Sequence, residues 1–186
     1  MSNTQVDAAN AIAATEEWLE KAVIGLNLCP FAKAVHVKKQ IRYVFSDATT
    51  PEALLETLMD EMQNLADTPA EEVDTTLIVH PHVLNDFEDY NEFLDVADAA
   101  LEDMGLDGEL QVASFHPDYQ FADTARNDIG NYTNRSPYPT LHLLREDSVE
   151  RAVEAFPEAE AIFEKNIETM EKLGHDGWNK LFPQVK

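Results

Sequence analysis

The sequence predicts an α/β (or α+β) fold: about four strands in a mixed sheet, helices packed on it, and a long loop between the last two strands. Three observations predict this. Short β-branched or apolar runs alternate with segments of helical period, in the order α-β-α-β-α-β-loop-β-α-α. Strand–helix–strand units favour parallel neighbours with right-handed crossovers. The last two strands have no helix between them, so they are expected to run antiparallel. The 186 residues, 44% of them hydrophobic, suffice for one domain with a real core, taken as residues 1–186.

Each element has its own signal. Residues 7–27 place Ile12, Leu19, Val23 and Leu26 at helical spacing among Thr15, Glu16, Glu17 and Glu20, and Asp7 can cap the start. Pro30 disfavours helical geometry at Cys29, which puts the thiol at a break. Residues 40–46 read as a strand. Thr50-Pro51-Glu52 opens a helix carried by Leu54, Leu55, Leu58, Met62 and Leu65 to about residue 66. Residues 75–80 form a short apolar strand. Asp86 opens the next helix, carried by Phe93, Leu94, Ala97, Ala100, Leu101 and Met104, and Gly105 ends it. Residues 109–116 and 139–145 are the last two strands. Helices over 147–156 and 157–173 follow, the second closed by Gly174, and Trp178, Leu181 and Phe182 are expected to pack the tail back on the body.

The formal net charge is -23. Such a surface repels nucleic acid and anionic lipid, which both need Lys and Arg, so neither is an expected partner. No apolar run approaches the ~20 residues of a membrane span. A single cysteine excludes an internal disulfide framework, and the N-terminal run lacks the features of a signal peptide, so the expected location is cytoplasmic. The few cations are unevenly placed. From Lys21 to Phe45 there are five basic residues and no acidic one, and from Gln111 to Arg145 there are three of each. If these segments meet, they make a neutral-to-positive island on an acidic body, suited to a small anion. The plainer reading is that both segments are less exposed than the helices.

Between the last two strands lie roughly 22 residues without helical or strand period, and a loop of that length is functional or disordered. Tyr119, Phe121, Tyr132 and Tyr138 argue against disorder. Ligands in open α/β sheets sit beyond the carboxyl ends of parallel strands. His80 and His116 end two strands, each followed by proline, and the loop leaves from that same edge. His80, His82, His116, Arg126, Asn127 and Arg135 are thereby brought toward one place. His142, between Leu141 and Leu143, faces the other way from them and is expected to be structural.

Three chemistries could use this set. Arg126, Arg135 and Arg42 could hold a carboxylate or phosphate in bidentate forks, with Asn127 orienting it and His116 or His80 as general acid or base. His80, His82 and His116 could bind zinc or iron, with Cys29 as an extra ligand, and the Cys29-Pro30 pair also occurs at some haem sites. Cys29 could act as a nucleophile if nearby positive charge lowered its pKa; a small buried thiol is the plainer reading. The leading expectation is an enzyme acting on a small anionic metabolite through an Arg/His-lined pocket, its cofactor unspecified. The alternatives are a metal- or haem-binding protein, and a non-catalytic module whose acidic helices dock a basic partner.

Two runs carry a resemblance. Gly25-Leu-Asn-Leu-Cys-Pro-Phe-Ala32, together with His116-Pro117 through Arg135-Ser-Pro-Tyr-Pro139 to Leu141-His-Leu-Leu-Arg-Glu146, is similar to the bacterial domain-of-unknown-function family number 1415. The resemblance extends over almost the whole chain. It implies a single-domain bacterial protein and brings no activity, cofactor or catalytic residue with it.

Overall fold

A computed structural model describes residues 6–156 and 158–183. Four strands, β1 (Ile41–Phe45), β2 (Thr75–Val79), β3 (Leu110–Phe115) and β4 (Thr140–Arg145), form one mixed sheet in the order β1-β2-β4-β3. β1 and β2 run parallel, and β4 lies antiparallel between β2 and β3. β2 and β3 therefore point the same way, and their carboxyl ends leave one edge of the sheet. The expected antiparallel pairing of the last two strands is observed.

Side-chain alternation divides the sheet into two faces. Val44, Ile78, Leu110, Val112, Leu141 and Leu143 meet the crossover helices α3 (Pro51–Asp67) and α4 (Phe87–Asp103). Leu54, Leu58, Met62 and Leu65 of α3 and Phe93, Ala97, Ala100 and Leu101 of α4 are buried there. Burying one such leucine is worth about 2 kcal/mol. Ile41, Tyr43 and Phe115 point to the opposite face, against Trp18 of α1 (Ala8–Trp18) and Met170 and Trp178 of α6 (Ile162–Leu181). The expected caps form. Asp7, Thr50 and Asp86 accept backbone N–H groups at the starts of α1, α3 and α4, and Gly105 (φ 68) follows α4.

Three departures from the sequence reading occur on the α1/α6 side. The helix expected over 7–27 turns π-helical from Leu19 to Ile24. Gly25 N–H reaches back five residues to Glu20 O (2.9 Å), and left-handed Asn27 (φ 54) closes the turn. A Cβ on Gly25 would lie 2.3 Å from Lys21 O, so only glycine fits without a shift. A six-residue helix, α2 (Ala32–Val37), follows the Pro30 break; it buries no residue, which is why no apolar period announced it. Finally, Gly174 does not close the last helix. Its φ of 67 and ψ of 174 interrupt α6, and the helix resumes through Leu181 because Trp178 and Phe182 pack into the second core.

Candidate functional site

The two strand-ending histidines do come together, beneath α4. The Tyr90 ring lies 6.0 Å from that of His80 and 4.9 Å from that of His116. The Tyr90 hydroxyl donates to Thr140 O (2.6 Å) and accepts from Phe115 N–H (3.1 Å), tying β3 to β4 where they diverge. His116 Nδ1 accepts from Asp118 N–H (3.0 Å), so Nε2 carries the proton and donates to Leu84 O (3.0 Å). Leu84 takes a left-handed conformation (φ 58) to present that carbonyl. His80 Nδ1 donates to Val83 O (3.1 Å), leaving a buried Nε2 that has no partner among the described residues. Burial lowers both histidine pKa values, that of His80 to about 4. Both rings are neutral at pH 7 and fully enclosed. Their geometry braces the sheet edge, and neither reaches solvent as a general acid or base must to meet a ligand.

The loop beyond His116 is ordered by a residue that the sequence reading passed over. Asn131 is fully buried in a 3₁₀ turn (Ile129–Asn134). Its Oδ1 accepts from Phe121 N–H (2.9 Å) and its Nδ2 donates to Ala125 O (2.9 Å). Arg135 clips the loop as well. Its Nε donates to Tyr119 O (3.0 Å), its Nη2 donates to Arg126 O, and its guanidinium lies 4.4 Å above the Tyr132 ring. Arg126 is the outward one, with its side chain 77% exposed and 3.9 Å from Asp118. Asn127, also exposed, offers its carbonyl to His175 Nε2 (2.8 Å).

The remaining candidates are placed elsewhere. Arg42 lies on β1, at the far side of the sheet from β3, and grips Glu61 of α3 through two hydrogen bonds (2.9 and 3.2 Å). That hydrogen bonding, more than the nearby charge, raises its pKa further. His82 turns Nε2 to Val6 O (3.3 Å) and packs edge-on against Phe45. Among the described residues no three His, Cys, Asp or Glu side chains converge as metal ligands. His80, His82 and His116 therefore do not make the cluster expected of them. Burial raises the pKa of Cys29, so the thiol stays protonated, as a small packing residue does. His142 faces away from Leu141 and Leu143, as expected, and bonds Thr75 Oγ1 (2.6 Å).

One concavity adjoins the loop. Tyr132, Pro137 and Tyr138 form one wall, and Trp178, Asn179 and Phe182 at the end of α6 form the other. The cleft encloses about 560 Å³. Tyr132 meets Trp178 edge-on at 5.4 Å, and Trp178 meets Phe182 at 4.9 Å. Two cations sit behind these rings: Arg135 over Tyr132, and Lys21 with Nζ 6.0 Å from the Phe182 centroid. The segments around Lys21–Phe45 and Gln111–Arg145 thus meet in the second core, through Leu28, Ile41, Tyr43, Phe115 and Tyr132.

The chain belongs to the family described as "Protein of unknown function (DUF1415)", matched over residues 10–180. No curated protein and no solved structure matches it. Membership bears out the resemblance carried by the two runs, and the structure shows what several of their residues do. Gly25 permits the π turn, Leu28 is buried, and Leu28 O accepts from Asn166 Nδ2 of α6 (2.9 Å). Ser136 Oγ donates to Tyr138 O (2.6 Å), shaping the return into β4. The cleft's far wall lay outside both runs. Its visible signal was the apolar set Trp178, Leu181 and Phe182 in the tail.

Proposed function

We propose that this protein binds a small planar anion, a ring bearing a carboxylate or phosphate, in the cleft between Tyr138 and Trp178. The observation that carries this reading is an aromatic-walled cleft of about 560 Å³ whose Tyr132 wall is stacked by Arg135; Lys21, near Phe182, is already paired with Glu17. Small-molecule sites are concave and largely aromatic, with a few polar groups to fix orientation. Tyr132, Tyr138 and Asn179 supply those polar groups. The rings offer apolar contact, and Arg135 over Tyr132 makes this wall an attractive place for negative charge on a strongly acidic chain.

The reading keeps the small anionic ligand expected from the sequence and moves it from the histidine edge to the α6 side of the loop. His80 and His116 have no part in it, because α4 covers them; Arg126 and Asn127 rim the loop.

Trp178 makes the test direct. Salicylate and adenosine monophosphate are titrated against the full chain, with inorganic phosphate as the ring-free control, following tryptophan fluorescence and thermal stability. The ring-bearing anions should quench Trp178 and raise the melting temperature, phosphate should do neither, and Tyr138→Ala should abolish the response. A response that survives Tyr138→Ala, or none from either ring-bearing anion, would remove the reading.

A further inference from the structure

Where β4 passes into α5 (Glu146–Ala155) without an intervening residue, β2 reaches α4 through the segment His80–Asp86, which crosses the carboxyl edge of the sheet. From Pro81 to Asn85 no backbone N–H or carbonyl joins a backbone–backbone hydrogen bond among the described residues. The carbonyls go to side chains instead. Val83 O accepts from His80 Nδ1 (3.1 Å), Leu84 O from His116 Nε2 (3.0 Å), and Pro81 O from Asn85 Nδ2 (3.0 Å). To present its carbonyl, Leu84 takes the left-handed region (φ 58), where a large branched side chain is strained. Val83 and Leu84 pack on the α3/α4 core, so the segment is seated by two side chains and held by two rings.

We propose that Pro81–Asn85 is an acid-released strap over the carboxyl edge of the sheet, latched by the neutral rings of His80 and His116. A proton added to His80 goes to Nε2, which is buried and faces no acceptor among the described residues. A proton added to His116 goes to Nδ1, where it meets the Asp118 N–H and ends that hydrogen bond. The titratable groups around the pair are Tyr90 of α4, Asp86 at its cap, and Asp118 and Tyr119 of the loop. Asp118 and Asp86 favour charge on His116, whereas His116 disfavours charge on His80. Burial is the largest cause for each ring and lowers both pKa values. A charged ring is stable only where water reaches it. Of the elements that enclose the pair, α4 is capped by Asp86 and anchored by Phe93, Ala97 and Leu101. The strap has a strained residue and no backbone bonds, and local opening begins at the least-bonded segment. Lifting the strap therefore solvates the rings at the smallest cost and leaves α4 and the sheet in place.

Native-state proteolysis of the full chain by thermolysin tests this, because cleavage follows the population of the open segment. Fragments are mapped by mass from about pH 7.5 to about pH 5.5, and each rate is divided by that of a free peptide of residues 78–88 at the same pH. Cleavage at Val83 and Leu84 should rise by up to about tenfold per pH unit below about pH 6.5, the limit for one proton taken up on opening. Cleavage within α3 should stay far slower throughout. His80→Gln, whose amide can donate to Val83 O but takes up no proton, should flatten the rise, and His116→Gln should flatten it less. Strap cleavage that ignores pH, or that rises equally in both variants and wild type, would overturn the proposal. So would acid-driven cleavage that appears at α3 and the strap together, which would assign the proton uptake to global unfolding.

Discussion

The two sides of the sheet differ in charge and in regularity. From Tyr43 to Ala125, the stretch that supplies α3 and α4, the chain has 21 acidic residues and neither lysine nor arginine; all 13 basic residues lie outside it. The α3/α4 side has capped helices of even period and a continuous aliphatic core. The α1/α6 side has the π turn, the Gly174 break and an aromatic core. Local irregularities of this kind cost stability and gather where a surface has work to do. The aromatic-walled cleft lies on that side. On this contrast one face mainly carries stability, and the ligand binding we propose falls to the other.

The largest effect should come from the regular face. Leu58 of α3 is fully buried among Leu54, Met62 and the sheet. Leu58→Ala removes buried methyl groups and leaves a cavity, so it should cost about 3 kcal/mol in urea unfolding. Tyr138→Ala, at a partly exposed cleft wall, should cost well under that. Equal costs at the two positions would dissolve the division of labour.

Acid tests the faces together, since each buries one histidine of strongly lowered pKa. His80 faces α4 and His142 faces Phe115, and both have pKa values of about 4 because burial penalises the charged ring. The unfolded value is about 6.5. Between these values the unfolded chain takes up a proton that the folded chain refuses, so stability falls as the pH drops through that window. The loss approaches about 1.4 kcal/mol per pH unit for each of the two rings within that window. His80→Gln and His142→Gln, unfolded in urea at neutral pH and near the lower end of the window, should each flatten the slope of the difference from wild type. A slope unchanged by His80→Gln would mean that its ring is solvated in the folded chain.

Much of this architecture was legible in the sequence because the regular face obeys local rules. Thr50-Pro51, Asp86 and Gly105 mark helix ends by capping chemistry alone, and β2 and β3 could be oriented from the helix joining them. What sequence could not supply was the direction of side chains past the strand ends. His80, His82 and His116 converge on paper, yet each turns a ring nitrogen to a nearby carbonyl, and Arg42 and Arg135 are likewise held by an acid or by loop carbonyls. A polar residue near a functional-looking loop serves as readily to order the loop as to meet a ligand. Two residues that do this ordering, Glu61 as the partner of Arg42 and Asn131 within the loop, did leave a trace. Glu61 falls within the apolar stripe of α3, one residue before Met62, where a lone carboxylate needs a cation, and Asn131 follows a glycine in a turn. Neither trace says which distant residue answers it.

The smallest expected effect isolates charge from packing. Glu92 is exposed on α4, with Glu88 and Asp89 one turn before it and Asp95 one turn after. Glu92→Lys would replace three like-charge contacts with attractive ones and should stabilise the chain by about 0.5–1 kcal/mol at low salt. The same substitution on the other face should have the opposite sign. Glu17 on α1 pairs with Lys21, so Glu17→Lys exchanges an attraction for a repulsion and should cost a few tenths to about 0.5 kcal/mol. At about 1 M salt the Debye length shrinks to about 3 Å, and both effects should fade together. Urea unfolding of the two variants at low and high salt measures all four values. Opposite signs that collapse with salt would show that the cation-free stretch repels itself and that the α1/α6 face is electrostatically balanced. Stabilisation by Glu92→Lys that persists at high salt would point instead to helix propensity or packing, and the asymmetry of charge would then have no energetic consequence for the fold.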